Sequence, residues 1–105
     1  MPIHTMVTRH FDSGKLIEAY PTLHALRAAS MDQAGYRNIR TFVGRDNPDK
    51  LVVVTSWDHF RAWEKWRDCA TRATFELLLR QFTCCNSSAE TFYEGYGSIS
   101  RAVNM

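Results

Sequence analysis

The sequence predicts one α+β domain with the ferredoxin-like order β-α-β-β-α-β around a four-stranded antiparallel sheet. Three observations predict it. Short alternating or β-branched apolar stretches recur near 3–11, 36–44, 51–57 and 90–97. Longer stretches with helical spacing separate the first strand from the second and the third from the fourth. Between the second and third, "RDNPDK" (45–50) is dense in turn formers and makes those strands a hairpin. A chain of 105 residues is long enough to bury one core without metal or disulfide staples.

Taken in order, "IHTMVTRHF" (3–11) places Ile3, Val7 and Phe11 on one face. Met6 stands among His4, Thr8 and His10 on the other, so neither face is wholly polar. "DSG" is a turn that starts a helix from Lys15 to Met31, where Leu16, Tyr20, Leu23, Leu26 and Ser30 or Met31 keep helical spacing. Pro21 predicts a kink or restart, and Gly35 in "DQAG" is the stop. "YRNIRTFVG" (36–44) is the second strand. "LVVVTSW" (51–57), continuously apolar and β-branched at its centre, is the third, central and buried on both sides. Asp58 stands where an N-cap belongs, ahead of a helix to about Asp68. A further helical stretch from Ala70 to Phe82 is expected to bury Ala73, Phe75, Leu78, Leu79 and Phe82. "TCCNSS" is loop and "ETFYEGYG" the last strand; the tail "SISRAVNM" is expected to be weakly anchored or to cross to a partner.

Two helices cover one face of such a sheet. The other face is expected to display Met6 or Val7, Ile39 or Phe42, and valines of the third strand. Covering it with a second copy predicts a homodimer with sheets packed face to face.

Composition excludes several classes. At 45% hydrophobic and 23% charged residues the chain is ordinary for a soluble globular protein. A net charge of +2 without a Lys/Arg cluster argues against a nucleic-acid partner. No apolar run approaches the ~18 residues of a membrane span, and His4, Arg9 and His10 interrupt any signal sequence. Cys69, Cys84 and Cys85 are odd in number with no Cys-x-x-Cys pair, and read as reduced thiols of a cytoplasmic protein. The four histidines are scattered; His4 and His10 share a strand face but lie about 20 Å apart. No metal site, no phosphate loop and no cofactor are expected.

The segment "SWDHFRAWEKW" (56–66) carries the chemical question. Phe60, Trp63 and Trp66 spread over roughly 120° of one helix face, which suits core packing. Each buried indole N–H nevertheless needs a partner, which a pocket between helix and sheet supplies as ligand oxygen or water. Trp66 is the first candidate for such a pocket, followed by Trp63 and Trp57. His24 lies about 100° round from Leu23, at the core border. It is either a solvated residue or a general base suited to proton abstraction near neutral pH. Arg9, on the face of Val7, is either a surface charge at the strand end or a reach toward an anionic oxygen. Arg72 and Arg80 read as solvated helix residues.

"TRHFDSGK" (8–15), "AGY" (34–36) and "LVVVTSWDHFRAWEKW" (51–66) resemble the antibiotic biosynthesis monooxygenase (ABM) family of dimeric α/β barrels, over about residues 5 to 96. The family holds cofactor-free oxygenases of anthrones and quinols, haem-degrading enzymes and isomerases, so membership alone does not fix the chemistry. Against the haem-degrading branch, Trp66 matches the helical tryptophan. Val7 stands at the strand-one asparagine and Glu76 at the iron-ligating histidine, so haem degradation is not expected. Against the anthrone-oxidising branch, Trp57 matches, Trp63 replaces a tyrosine, and Val53 replaces an asparagine. The resemblance implies a cofactor-independent monooxygenase that oxidises a small aromatic quinol, anthrone or polyketide-type substrate with molecular oxygen. In that scheme His24 removes a proton and Trp66 or Trp57 donates its N–H to substrate oxygen. Trp63, Phe75 and Leu79 form the walls, with Val7 and Arg9 from strand one beside the substrate. The alternatives are a non-catalytic dimer that binds an aromatic ligand or a partner, and an acid/base isomerase.

Overall fold

The structure, a computed structural model, describes residues 1–95. Strand β1 (Ile3–His10) leads to helix α1 (Leu16–Met31), then to the hairpin of β2 (Tyr36–Val43) and β3 (Lys50–Trp57). Helices α2 (Phe60–Arg67) and α3 (Ala70–Leu79) follow, then a 3-10 turn at Arg80–Phe82 and strand β4 (Ser88–Tyr93). The sheet is antiparallel throughout in the order β2-β3-β1-β4, which is the ferredoxin-like α+β arrangement.

The period of two along β1 fixes which residues face the helices. Ile3, Thr5, Val7 and Arg9 are buried, while His4, Met6, Thr8 and His10 are half-buried on the reverse face. Register carries the first set across the sheet: Thr5 lies opposite Thr55 and Thr91, Val7 opposite Val53 and Ala89, Arg9 opposite Leu51. Ile3, Val7, Trp57, Ala62, Trp63 and Trp66 form one core cluster, and Phe11, Ala19, Leu51 and Leu79 a second. On the reverse face Met6 lies opposite Val54, Val52 opposite Phe42, and His4 opposite Ser56 and Phe92. The apolar residues on that side are therefore Met6, Val52, Val54, Phe42 and Phe92. Val7 and Ile39, the other options left open by the sequence, face the helices.

Several boundaries differ from expectation for identifiable reasons. Helix α1 runs unbroken through Pro21, which occupies an exposed position. The N-cap of α2 is His59, whose Nδ1 accepts from the Ala62 N–H at 3.2 Å. Asp58 instead donates its backbone N–H to Gly35 O at 2.8 Å, holding the α1–β2 corner to the end of β3. Gly35 sits at φ +85°, and a Cβ there would lie 2.5 Å from Ala62 Cβ, so both conformation and close approach require glycine. In α3 the inward row is Arg72, Phe75, Glu76 and Leu79, at helical spacing, whereas Ala73 and Leu78 are exposed. Phe75, Leu79 and Phe82 lie inward as expected; two further inward positions are charged, which is why apolar spacing alone put Ala73 and Leu78 in their place. β4 starts at Ser88 because it pairs along β1 from Thr8 to Ile3. Its Ser-Ala-Glu beginning carries little β signal of its own. The tail at 98–105 lies outside the described residues.

Candidate functional site

Helix α1 does not pack flush on the sheet. Tyr20 is 64% exposed, and Leu16, Leu23 and Leu26 are half-buried rather than sealed. Between this helix, the sheet and the start of α3 lies a cavity of about 470 Å³. That volume falls in the range of small-molecule sites. Leucines of α1 and Val7, Ile39, Val43, Leu51 and Val53 of the sheet give it apolar walls. Thr5, Thr41, Thr55 and Ser30 add hydroxyls, and Trp63 and Trp66 close the α2 side.

The three tryptophans separate here. Trp57 is 0% exposed and absent from the cavity lining. Its Nε1 donates to Thr5 Oγ1 at 3.4 Å, and its ring meets Tyr36 edge-on and Trp63 at a tilt, each at 6.3 Å. The expectation that Trp57 offers its N–H to a substrate meets a donor that is already engaged inside the core. Trp63 and Trp66 are also buried, at 3% and 4%, but both line the cavity. Neither indole N–H has a hydrogen-bond partner among the described residues, yet no buried donor is sealed without one. Both N–H groups therefore reach accessible space.

His24 lines the cavity from α1 at its rim, exposed and stacked on Tyr20 with ring centroids 5.9 Å apart. Val7 and Arg9 line the floor. Phe75 and Leu79, expected as walls, are not in the lining; Leu79 is 1% exposed within the second core cluster.

Arg9 is only 4% exposed, which removes the surface-charge reading. Its guanidinium grips Glu76 with both terminal nitrogens, Nη1 at 2.8 Å from Oε2 and Nη2 on Oε1. Arg72, one turn before Glu76, is the residue that the sequence reading missed. Its side chain is 12% exposed, and Nη2 lies 3.4 Å from Glu76 Oε1. The guanidinium sits over the Trp63 ring at 5.1 Å, a cation–π contact. The signal available beforehand was the Arg72–Glu76 pair at i,i+4. Burial pushes the Glu76 carboxyl up, but the hydrogen bonds from Arg9 and the charges of Arg9 and Arg72 outweigh it and hold the group below the ordinary carboxylate value. Burial likewise lowers Arg72, with the Glu76 charge opposing.

These residues do not fit a haem. Glu76, where the resemblance puts the iron ligand of the haem-degrading branch, is held by two arginines and stands behind the lining rather than in it. Among the described residues no cluster of three or more His, Cys, Asp or Glu is placed to hold a metal ion, and no helix is long and apolar enough to cross a membrane.

Residues 2–76 match the sequence model of antibiotic biosynthesis monooxygenases. The chain belongs to this family. No curated protein matches it in sequence. Solved structures similar to this ABM protein include a conserved protein from Methanosarcina mazei Go1, with TM-score 0.82 at 12% identity, over 90% of this chain and 94% of that one. Rv0793 from Mycobacterium tuberculosis gives 0.79 at 10% identity, over 91% and 97%. SnoaB, a cofactor-independent oxygenase from Streptomyces nogalater, gives 0.79 at 14%, over 90% and 94%, in a mutant form. At such identities the likeness is one of fold.

Proposed function

We propose that this ABM protein is a cofactor-independent oxygenase of an electron-rich aromatic, an anthrone or quinol, bound in the cavity between α1 and the sheet. The single observation that carries the reading is the pair Trp63 and Trp66: buried indoles on the wall of a 470 Å³ apolar cavity, with N–H donors that no described residue takes up. A core residue would bury that donor against a partner, as Trp57 does.

For an anthrone the chemistry balances without a further reactant. His24 at the rim takes a proton from the ring methylene, and Trp66 donates its N–H to the oxygen on which the negative charge develops. The carbanion passes an electron to oxygen, and the two radicals join as a C–O–O⁻ peroxide. Loss of the remaining C–H proton and cleavage of the O–O bond leave a carbonyl and water, so one methylene and one O₂ become one C=O and one H₂O. The protein's part is to favour the anion and keep the site dry. Two copies joined through their Met6–Val54 sheet faces complete the assembly in this reading.

A second reading has one observation in its favour. His24 is exposed rather than enclosed, and no other histidine lines the cavity. A non-catalytic aromatic-binding protein would look the same. Oxygen uptake with 1,8-dihydroxyanthrone decides between them. The oxygenase reading expects uptake above the spontaneous rate, lowered about 100-fold or more in His24→Ala. Binding of the anthrone without any added uptake overturns it.

A further inference from the structure

Among the described residues, every ionised side chain on the cavity wall carries the same sign. The lining includes Arg9, Arg27 and Arg72 and not one carboxylate; Glu76, which balances one charge, is not part of it. The three arginines are not equally available. Arg9 uses both terminal nitrogens on Glu76. Arg27 is exposed and donates to Thr41 Oγ1 at 3.3 Å. Arg72 touches Glu76 through one nitrogen at 3.4 Å and reaches the backbone oxygen of Arg67 only at 3.5 Å. A guanidinium has five N–H donors in a planar fork, and that of Arg72 sits over the Trp63 ring with donors to spare.

One carboxylate between two buried guanidiniums leaves an unbalanced positive charge in a place shielded from water. That arrangement is costly beside an apolar cavity and is relieved by an anion inside it. Trp63 beneath Arg72 offers, next to the charge, an indole wall against which a flat ring can lie.

We propose that Arg72 is a substrate-binding residue that holds an anionic oxygen, carboxylate or ionised phenol, on a planar aromatic lying in the cavity. This rests on the cavity being the substrate site, and it adds that the ligand enters as an acid. Arg9 and Glu76 are positioning residues: Glu76 fixes Arg72 from behind, and Arg9 fixes Glu76.

The test uses probes that the oxygenase reaction would not consume. Binding of 2-naphthoate and of its neutral isostere 2-naphthamide is followed by quenching of tryptophan fluorescence. The pH at which bound 4-nitro-1-naphthol ionises is read from the absorption of its anion. The parent protein is expected to prefer naphthoate by about tenfold or more, the scale of one charge-assisted hydrogen bond. Bound nitronaphthol is expected to ionise about one pH unit or more below the free dye. A carboxylate-bearing ligand is indicated if only the first effect is seen, a phenolate if only the second. Arg72→Gln should remove the effect while leaving naphthamide binding within about threefold. Glu76→Gln should enlarge it, because it removes the balancing charge while the amide oxygen still accepts from Arg72; a structural role would diminish binding in both variants alike. The assignment is overturned if the parent shows neither effect, if neither naphthalene binds at millimolar concentration, or if Arg72→Gln keeps the preference. Oxygen uptake on the anthrone is scored separately. Uptake without anion preference removes the Arg72 assignment alone, and anion preference without uptake removes the oxygenase reading alone.

Discussion

Replacing Trp57 by phenylalanine probes the division of labour among the tryptophans. The residue is completely buried, so removing part of the indole leaves a gap of roughly 40 Å³ that the tilted Trp63 and edge-on Tyr36 rings can fill only partly. At about 24 cal/mol per Å³ the gap costs about 1 kcal/mol. The lost hydrogen bond to Thr5 adds less than a normal one, since at 3.4 Å it is long, and about 0.5 kcal/mol is reasonable. Thr5 keeps its own contact with Thr55 O, so no buried group is orphaned. Trp57→Phe should therefore lose about 1.5 kcal/mol, or roughly 6–10 °C in Tm for a domain of this size, with ligand binding near normal. Trp66→Phe has no hydrogen bond to a described residue to lose, and the space it vacates adjoins an existing cavity. It should lose less stability, and its binding or turnover should fall by about 2–4 kcal/mol if its donor meets a developing oxyanion. Urea unfolding gives the first quantity and ligand titration the second. The reasoning fails if the pattern is reversed: Trp57→Phe stable but unable to bind, Trp66→Phe unstable but binding as the parent.

Acid should unfold the protein through Glu76. Its pKa is depressed in the folded state, so the associated stabilisation is present above the unfolded carboxylate value and is lost as pH falls through the folded one. The urea midpoint should drop below about pH 4, and Glu76→Gln should flatten that dependence. At neutral pH the same variant should lose about 2 kcal/mol, less than a fully buried pair, since Glu76 retains 24% exposure. The apolar residues on the reverse sheet face predict a dimer; sedimentation at micromolar concentration that gives only a 12.1 kDa species would refute it.

The β-α-β-β-α-β order was legible because each of its signals is local. Alternation marks β1, the turn formers at 45–50 mark the hairpin, and aromatic spacing marks α2. The cavity was legible only in part. Trp63, Trp66, His24, Val7 and Arg9 come together around it, but the reading that set them there rested on spacing along single elements and on the family resemblance. What it missed depends on pairs far apart in sequence. Arg72 looks solvated until Arg9, on another element, is seen to bring Glu76 inward. Trp57 looks like a donor awaiting a ligand until Thr5, across the sheet, is found against it. The Asp58 carboxylate is a good cap on paper, but the chain direction at Gly35 gives the capping position to His59.

The strand order sets when this protein can fold as well as what it looks like. β1 is made first and sits in the interior of the sheet, yet both of its neighbours come later: Ile3 pairs with Trp57 on one side and with Tyr93 on the other. During synthesis one edge of β1 stays open until the chain has been made to the end of β4. Contacts of such long sequence range are slow to form. An open edge with an apolar face beside it invites pairing between neighbouring nascent chains. A ribosome stalled after α3 would thus release a fragment with its three α-helices and three of its strands, poised to complete its sheet with a strand from another molecule.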